Sequence, residues 1–311
     1  MLQGALEIAL CLLISVWNVV GSIGNYLLCS VVYSDPTMQT PIHLILVNLA
    51  LADLIGCLVI PPLTLALLLC NCQEEVFSTL GNIHLVLSGA LAVLVSAINV
   101  LLSIDRYDAI IRHLNRRITK EKMKGIAIGL WAMDLAIAGL VITLVSTSTF
   151  RWIPLSAAPN LDDEKLYVRM MIAFIAGCVI LLGMVLAVTY SFVSVKCTIR
   201  QHKQQLIQLL GQENLNKEEK LTRMSLWVAL VFAVTSLPSM MLGIHYTVVG
   251  PVNYNLEKVT YAMLAIGYGI NPVVYTQFMP GLWRAMKRKM KSFFGCQDPQ
   301  VHPAMQMNTG P

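Results

Sequence analysis

The residues best placed to do chemistry in this chain are three consecutive ones, Asp105, Arg106 and Tyr107, at the end of a long apolar run. An arginine held at the edge of hydrocarbon must either pair with an acid or reach water. A partly buried ion pair of this kind works better as a switch than as a source of stability. The triplet therefore predicts a charged switch at one end of a membrane helix.

Further polar side chains interrupt other apolar stretches. Asp53 and Asp134 lie in the middle of such stretches, where a charged group costs roughly 3 kcal/mol, so both must point into the protein. Asn25 lies in the first stretch, where its amide favours a hydrogen bond between helices. In the last stretch Asn271 precedes Pro272, and its amide can help to satisfy the backbone carbonyl that a proline frees.

The residue sets that enzymes need do not occur in the chain. It has no Ser-His-Asp set, no histidine cluster with metal-ligand spacing and no phosphate-binding loop. It also lacks a basic surface motif with interleaved aromatic residues, the usual mark of a nucleic-acid-binding protein. We therefore expect neither an enzyme nor a nucleic-acid partner, and no cofactor other than a sodium ion considered below.

The elements that must position these residues are membrane helices. Hydrophobic residues make up 56% of the chain and charged residues 13%. Helices of about 20 apolar residues cross a bilayer, and the alternation typical of a β-barrel is absent. The pattern predicts an all-α membrane protein, a bundle of seven transmembrane helices. The predicted spans lie near 5–33, 41–70, 79–110, 123–147, 167–197, 221–248 and 256–278.

The basic residues set the predicted orientation. All but four of the 22 lysines and arginines fall in segments 106–124, 196–223 and 284–291. Because positive charge concentrates on the cytoplasmic side of membrane proteins, the amino terminus is expected outside and the carboxyl terminus inside. We expect a multi-pass protein of the plasma membrane, with its basic face against anionic membrane lipids.

Three regions follow along the chain. Residues 1–278 are predicted to form the seven-helix domain. Residues 279–295 carry apolar residues at helical spacing against a basic face, which predicts a short amphipathic helix 8 in the membrane interface. Residues 296–311 are expected to be a disordered cytoplasmic tail. Cys296 at its start is a candidate for palmitoylation, and an unmodified cysteine is an equal alternative.

With these motifs in order, one per span, the chain resembles the rhodopsin-like (class A) family of G-protein-coupled receptors, as an orphan-type member. The resemblance covers nearly the full length, and the ordered set is far more specific than any single motif. The matching residues are Gly24-Asn25, Asn48 to Asp53, Asp105-Arg106-Tyr107, Trp131, Tyr190, Phe232, Pro238 and Asn271 to Tyr275.

The resemblance implies a mechanism. Arg106 would pair with Asp105 and Glu218 at rest and move close to Tyr190 and Tyr275 when the sixth helix swings outward. The opened cleft, with Leu114 of the neighbouring inner loop, would receive a heterotrimeric G protein, and arrestin would be a further partner. Asn271 and Pro272 belong to the same coupling and activation set. A ligand from outside or from the membrane, or high basal activity, would shift the population of the two states.

The resemblance also implies a central polar cluster of Asn25, Asp53 and Asn271 that often holds sodium at Asp53. Val95 stands where a serine ligand is common, which is a departure from the family. The triggering relay departs as well, through the set Ser96, Asn99, Phe232, Ser236 and Pro238. Asn99 brings a polar group into a normally apolar layer, so we expect constitutive activity.

The outer end departs from the family too. The usual cysteine at the outer end of the third span is Gly81 here, and the usual fifth-span proline is Leu182. In lacking both the disulfide and the fifth-span proline the chain resembles some lipid-sensing members of the family, which implies a lipid or other apolar ligand in an apolar pocket, with self-activation an equal alternative. The candidate pocket residues are His84, Ser88, Trp152, Met240, Met241, His245 and Tyr261.

Two rival functions stay open at this point. Asp53 and Asp134 would line an ion path in a seven-helix transporter or channel, although the broken helices or internal repeats typical of transporters are not found. The chain would otherwise be a receptor-like scaffold that does not couple. Nucleotide exchange on a G protein separates these classes from a receptor.

Overall fold

The computed structural model describes residues 2–69, 74–112, 117–146, 164–250 and 252–293. These residues form eight α-helices and one short 3-10 turn at Pro36–Met38. The helices are α1 (Leu2–Ser34), α2 (Pro41–Leu69), α3 (Glu74–Ile110), α4 (Lys120–Ser146), α5 (Glu164–Leu210), α6 (Gln212–Val249), α7 (Tyr254–Phe278) and α8 (Pro280–Phe293).

Six of the helices within the described residues, α1 to α6, are long and apolar enough to cross a membrane. The seventh, α7, carries Asn271 and Pro272 in its inner half and packs against α1, α2 and α6 in the same bundle. The chain is a multi-pass membrane protein, and the prediction of a seven-helix bundle followed by a short helix 8 is confirmed.

The bundle is built around α3. This helix packs against α2, α4, α5 and α6, and three of its leucine and isoleucine side chains are completely buried. By contrast, much of α1 and α4 faces outward with apolar side chains, as expected for helices in contact with lipid. The switch residues at the end of α3 therefore lie where several helices meet.

Close contact between α1 and α7 depends on glycine. A Cβ atom on Gly21 would come far closer to the backbone of Gly269 than real Cβ atoms do, and one on Gly24 would collide with Pro272. Small residues at such positions let membrane helices approach closely and pack well. This contact fixes α7, and with it Asn271, against α1.

The inner turn between α5 and α6 is a single residue. The break between the two helices is Gly211 alone, with φ of 79°. Glycine adopts this left-handed backbone without steric strain, so α6 begins at the next residue. Helix α6 therefore reaches the inner face of the bundle as one rod that carries Glu218.

Helix α8 lies across the inner ends of α1 and α7. It buries Leu282, Ala285 and Met286, while Lys289 Nζ donates to Ser34 Oγ at 3.0 Å. Its bounds fall inside the predicted segment 279–295. Trp152, Leu114, Cys296 and the predicted tail 296–311 lie outside the described residues.

Candidate functional site

The charged switch at the inner end of α3 has a defined geometry. Arg106 is buried, with 2% of its side chain exposed. Its Nε donates to Asp105 Oδ2 at 3.0 Å and its Nη2 donates to the same oxygen. Its Nη1 donates to Glu218 Oε2 at 2.5 Å, across to α6. One guanidinium thus joins two acids on two helices.

The turns of α3 and α6 that lead from the middle of the bundle to this ion pair carry buried apolar side chains. Ile98 and Leu102 of α3, with Met224 and Val228 of α6, are completely buried. A guanidinium in such surroundings cannot lose its acids without a new partner or water, because an unpaired buried charge is costly. The arrangement holds the inner end of α6 against α3.

The two tyrosines expected near Arg106 are elsewhere in this state. Tyr190 stacks on Tyr107 at 6.3 Å between ring centroids. Its side chain is 67% exposed, so it lies on the side of α5 that faces away from the bundle. Tyr275 is completely buried, and its hydroxyl has no hydrogen-bond partner within the described part of the chain. The structure therefore brings Arg106 together with its acids and not with either tyrosine.

A second charged contact, missed by the sequence reasoning, fixes the inner loop between α3 and α4. Asp108 is buried and accepts hydrogen bonds from the backbone N–H of Arg117 at 2.9 Å and from its Nη2 at 2.9 Å. These bonds raise the pKa of the Arg117 guanidinium, chiefly through the side-chain bond to Asp108. An acid just after the helix triplet and an arginine nine residues on were the available signal.

The central polar residues lie between α1, α2 and α7. Asn271 Nδ2 donates to Asp53 Oδ2 at 2.7 Å, and Asn25 Nδ2 donates to the backbone carbonyl of Tyr268 at 3.2 Å. The structure thus links Asn271 directly to Asp53, while Asn25 ties α1 to α7. All three side chains are buried.

The sodium ion suggested at Asp53 stays a prediction. Asn271 presents its amide nitrogen to Asp53, and the oxygens of its amide and of Asn25 have no partner among the described residues. The α3 position that would supply a hydroxyl ligand is the buried Val95. Hard cations need several oxygen ligands around one point; the two unpartnered amide oxygens are available for this and the Val95 side chain is not, so we assign no step to sodium.

The relay positions between the central residues and the switch are buried but weakly connected. Asn99 Nδ2 donates to the carbonyl of Val95 on its own helix at 3.0 Å, and its Oδ1 has no partner in the described residues. The Ser236 hydroxyl also has none there. Ser96 and Phe232 are buried near them, and Pro238 lies within the continuous α6.

Helix α4 contributes two inward side chains. Trp131 Nε1 donates to Asn48 Oδ1 on α2 at 3.1 Å, which joins two residues of the sequence motifs. Asp134, one turn farther on, is buried as predicted for a mid-span acid, and its Oδ1 has no partner among the described residues. Its partner is not identified by the structure either.

At the outer end, part of the predicted ligand pocket forms one connected group. His84 Nε2 and Thr64 Oγ1 are 3.1 Å apart, and the His84 ring meets the edge of Tyr261 at 5.5 Å between centroids. The Tyr261 hydroxyl donates to Glu257 Oε1 at 3.0 Å. This group, His84, Thr64, Tyr261 and Glu257, links α2, α3 and α7 and is called the outer polar group below.

Other predicted pocket residues are not brought into that group. Met241 is 59% exposed and His245 is exposed as well. Leu242 and Tyr246 occupy the inner face of α6, so positions 241 and 245, about 100° away around the helix, point outward. We correct their assignment to the pocket. Met240 contacts the core and Ser88 bonds back to its own helix, at 3.2 Å from the carbonyl of Leu85.

An ion pair that the sequence reasoning did not find holds the outer ends of α1 and α7 together. Lys258 Nζ donates to Glu7 Oε1 and lies 3.8 Å from the centroid of the Tyr254 ring. The lysine side chain is 5% exposed and the glutamate side chain 31% exposed. The two residues are 251 positions apart, which is why no local pattern pointed to the pair.

Comparison with known proteins agrees with this arrangement. Residues 24–275 match the family described as 7 transmembrane receptor (rhodopsin family). The chain is similar to the RYamide receptor of Drosophila melanogaster, 31% identical over 229 residues, which is 70% of this chain and 48% of that receptor.

Two further relatives match shorter regions. The Neuropeptide F receptor of Drosophila melanogaster is 30% identical over 145 residues, 44% of this chain and 30% of that receptor. The Probable G-protein coupled receptor 45 of Homo sapiens is 28% identical over 142 residues, 46% of this chain and 38% of that protein. The matched region thus covers less than half the length of each of the three relatives.

The outer ion pair gives an asymmetric prediction. Glu7→Ala leaves the buried Lys258 ammonium without its acid, whereas Lys258→Met leaves a glutamate that can turn to water. We therefore expect Glu7→Ala to lower the free energy of unfolding by about 2 kcal/mol, and Lys258→Met by clearly less. Thermal unfolding of the purified protein measures both, and the double variant should resemble Lys258→Met. Equal losses in the two single variants would contradict the assignment.

Proposed function

This chain belongs to the rhodopsin family of seven-transmembrane receptors, and on that premise we propose that it couples to heterotrimeric G proteins through the Arg106 switch. The observation that carries the proposal is the guanidinium of Arg106 bonded to Asp105 on α3 and to Glu218 on α6. This contact closes the inner face of the bundle. Its rupture is the step that opens a cleft for a G protein.

The opening follows from how α6 is held. Glu218 lies seven residues after Gly211, so a rigid α6 carries this acid away from Arg106 when its inner end moves outward. Arg106 then needs a new polar neighbour, and Tyr275 has a buried hydroxyl with no described partner. Arg106 and Tyr275 meet in the open state, and the G protein enters between α3 and α6. Arrestin would bind the same opened face.

We propose that the receptor lies in the plasma membrane with its amino terminus outside the cell and the Arg106 switch on the cytoplasmic side. The support is the concentration of lysine and arginine at the inner ends of α3 to α6 and on α8. A tagged amino terminus should then be labelled on intact cells by an impermeant reagent.

We propose a peptide as the ligand class. Two relatives are named as receptors for RYamide and neuropeptide F. The outer polar group contains a buried carboxylate at Glu257, and the Glu7 and Lys258 pair lies beside it. Charged and hydrogen-bonding groups of this kind suit the amides and cationic side chains of a peptide. The lipid or apolar ligand suggested by the missing disulfide stays a prediction.

We also propose high ligand-independent activity. Asn99 is buried in the layer between Asp53 and Arg106, and one amide oxygen there has no described partner. A polar group in this layer favours water, and water lowers the cost of separating Arg106 from its acids.

Nucleotide exchange on purified G-protein heterotrimers tests coupling. Without ligand, the receptor should accelerate exchange, and Arg106→Ala should reduce that acceleration at least about tenfold because the cleft loses its central cation. Arg284→Ala, on the exposed face of α8, is the charge-matched control and should retain most of the activity. Equal exchange by the wild type and Arg106→Ala, in protein that unfolds at the same temperature, would refute coupling through this switch.

The ion pair itself predicts a gain of activity. Glu218→Gln removes the negative charge that holds Arg106 to α6, so basal exchange should rise about threefold to tenfold, as a loss of roughly 1 kcal/mol or more from the closed state implies. Glu219→Gln is the adjacent control, since Glu219 pairs with the exposed Arg223 instead. An unchanged or lower basal rate in Glu218→Gln would show that this pair does not hold the closed state.

The polar layer predicts the opposite change. Asn99→Leu should lower basal exchange several-fold, because leucine has no amide to bind water in the layer between Asp53 and Arg106. Asn82→Leu, the same exchange about five turns farther out on α3, is the matched control. If Asn99→Leu leaves the basal rate unaltered while Arg106→Ala abolishes it, coupling stands and the explanation of basal activity is wrong.

A further inference from the structure

An open groove of about 360 Å³ lies on the side of α3 that faces α5 and the inner loop. The residues that decide its character are Val100, Ile104, Ala187, Tyr190, Arg112 and Arg117. Tyr107 and Tyr190 also line it, but no step of the proposed coupling takes place in its cavity. It is distinct from the outer polar group, which lies at the other end of the bundle.

The groove changes in polarity along its length. Its deep end is formed by Val100 of α3 and Ala187 of α5, and its mouth by Arg112 and Arg117 just beyond the end of α3. Ten helical residues separate Val100 from Ile110, which is about 15 Å along the axis. An apolar trough thus ends beside two arginine residues at the membrane boundary.

The floor of the groove offers carbon rather than hydrogen bonds. Ser191 Oγ donates to the carbonyl of Ser103 at 2.8 Å, and Ser103 Oγ donates to the carbonyl of Asn99 at 3.0 Å. Both hydroxyls are therefore used within the bundle, and the exposed lining is almost entirely apolar. A molecule in the trough would be held by its hydrocarbon.

The arginines at the mouth remain accessible. Arg117 is held by Asp108 through its backbone N–H, Nε and Nη2, which leaves Nη1 outside that contact. Its side chain is 51% exposed, and Arg112 is exposed as well. The Asp108 contact orients one guanidinium in advance, and a preorganised arginine suits phosphate.

We infer that this groove binds one anionic phospholipid of the inner leaflet, with its phosphate at Arg112 and Arg117 and an acyl chain against Val100, Ile104 and Ala187. The choice of leaflet rests on the proposed orientation of the receptor. Basic pockets between membrane helices on the cytoplasmic side are suited to anionic headgroups. A free phosphate would satisfy only the mouth, and a neutral phospholipid only the trough.

Binding of phosphatidylserine to the purified full chain tests the inference. Native mass spectrometry in detergent counts bound phosphatidylserine against phosphatidylcholine with the same acyl chains. Wild type should prefer phosphatidylserine, and Arg112→Gln should weaken that binding about fivefold, the value expected from roughly 1 kcal/mol for one arginine. Lys203→Gln, which removes an equal charge on the exposed inner extension of α5, should not.

The apolar half has its own pair of variants. Ala187→Phe fills the trough and should weaken phosphatidylserine binding, whereas Leu186→Phe, on the adjacent outward position of α5, should not. Glycerophosphoserine, the same headgroup without chains, should fail to displace the lipid. Equal binding of both lipids, equal effects of Arg112→Gln and Lys203→Gln, or displacement by glycerophosphoserine would each overturn the inference.

The outcome is independent of coupling, because no G protein takes part. If the protein does not bind phosphatidylserine selectively but shows Arg106-dependent exchange, the inferred lipid site is wrong and the proposed function stands. If it binds phosphatidylserine selectively but shows no Arg106-dependent exchange, the lipid site stands and the proposed coupling is wrong.

Discussion

The cost of burying the Arg106 guanidinium is the constraint on which the inner half of this molecule depends. A cation with 2% of its side chain exposed is tolerated only with its charge neutralised and its N–H groups bonded. One acid, Asp105, comes from the same helix as the arginine. The other, Glu218, comes from α6, so the position of that helix decides whether the charge is fully compensated. A local electrostatic requirement is thereby converted into the relative position of two helices.

The rest of the fold supplies rigid elements around that contact. Helix α3 is surrounded by four other helices, and the single-residue break at Gly211 makes α6 continuous from the inner face to the outer end. Gly21 and Gly269 bring α1 and α7 so close that the two helices behave as one packed pair. Between these elements lie polar atoms such as Asn99 Oδ1 and Ser236 Oγ that are buried without described partners. Each such group raises the free energy of the closed state, because a buried polar atom without a partner has lost its hydrogen bonds to water.

The sequence predicted those features that follow from the chemistry of single residues in hydrocarbon. A buried arginine requires an acid and a mid-span aspartate must point inward, but the choice of Glu218 for Arg106 and of Asn271 for Asp53 came from the resemblance to the rhodopsin-like family. The outward direction of Met241 and His245 could not be predicted from the sequence. The rotation of α6 about its own axis depends on how its side chains pack against the neighbouring helices. The pair of Glu7 and Lys258 was missed because its members are brought together only by the packing of the first helix on the last. Seven spans were foreseeable from apolar length, whereas the single-glycine inner turn depends on one backbone conformation.

The triplet at the end of α3 faces two environments at once, and helical geometry explains how. Consecutive residues are rotated by about 100°, so Arg106 points toward Glu218 while Tyr107 points to the side of α5, where it stacks on Tyr190. That side is the wall of the apolar groove, and Arg112 and Arg117 lie at its mouth. Occupation of the groove would therefore press on the same turn of α3 that carries the switch. Because Asp108 anchors Arg117 to that turn as well, the inner loop, the groove and the ion pair share one short segment of backbone and cannot move independently.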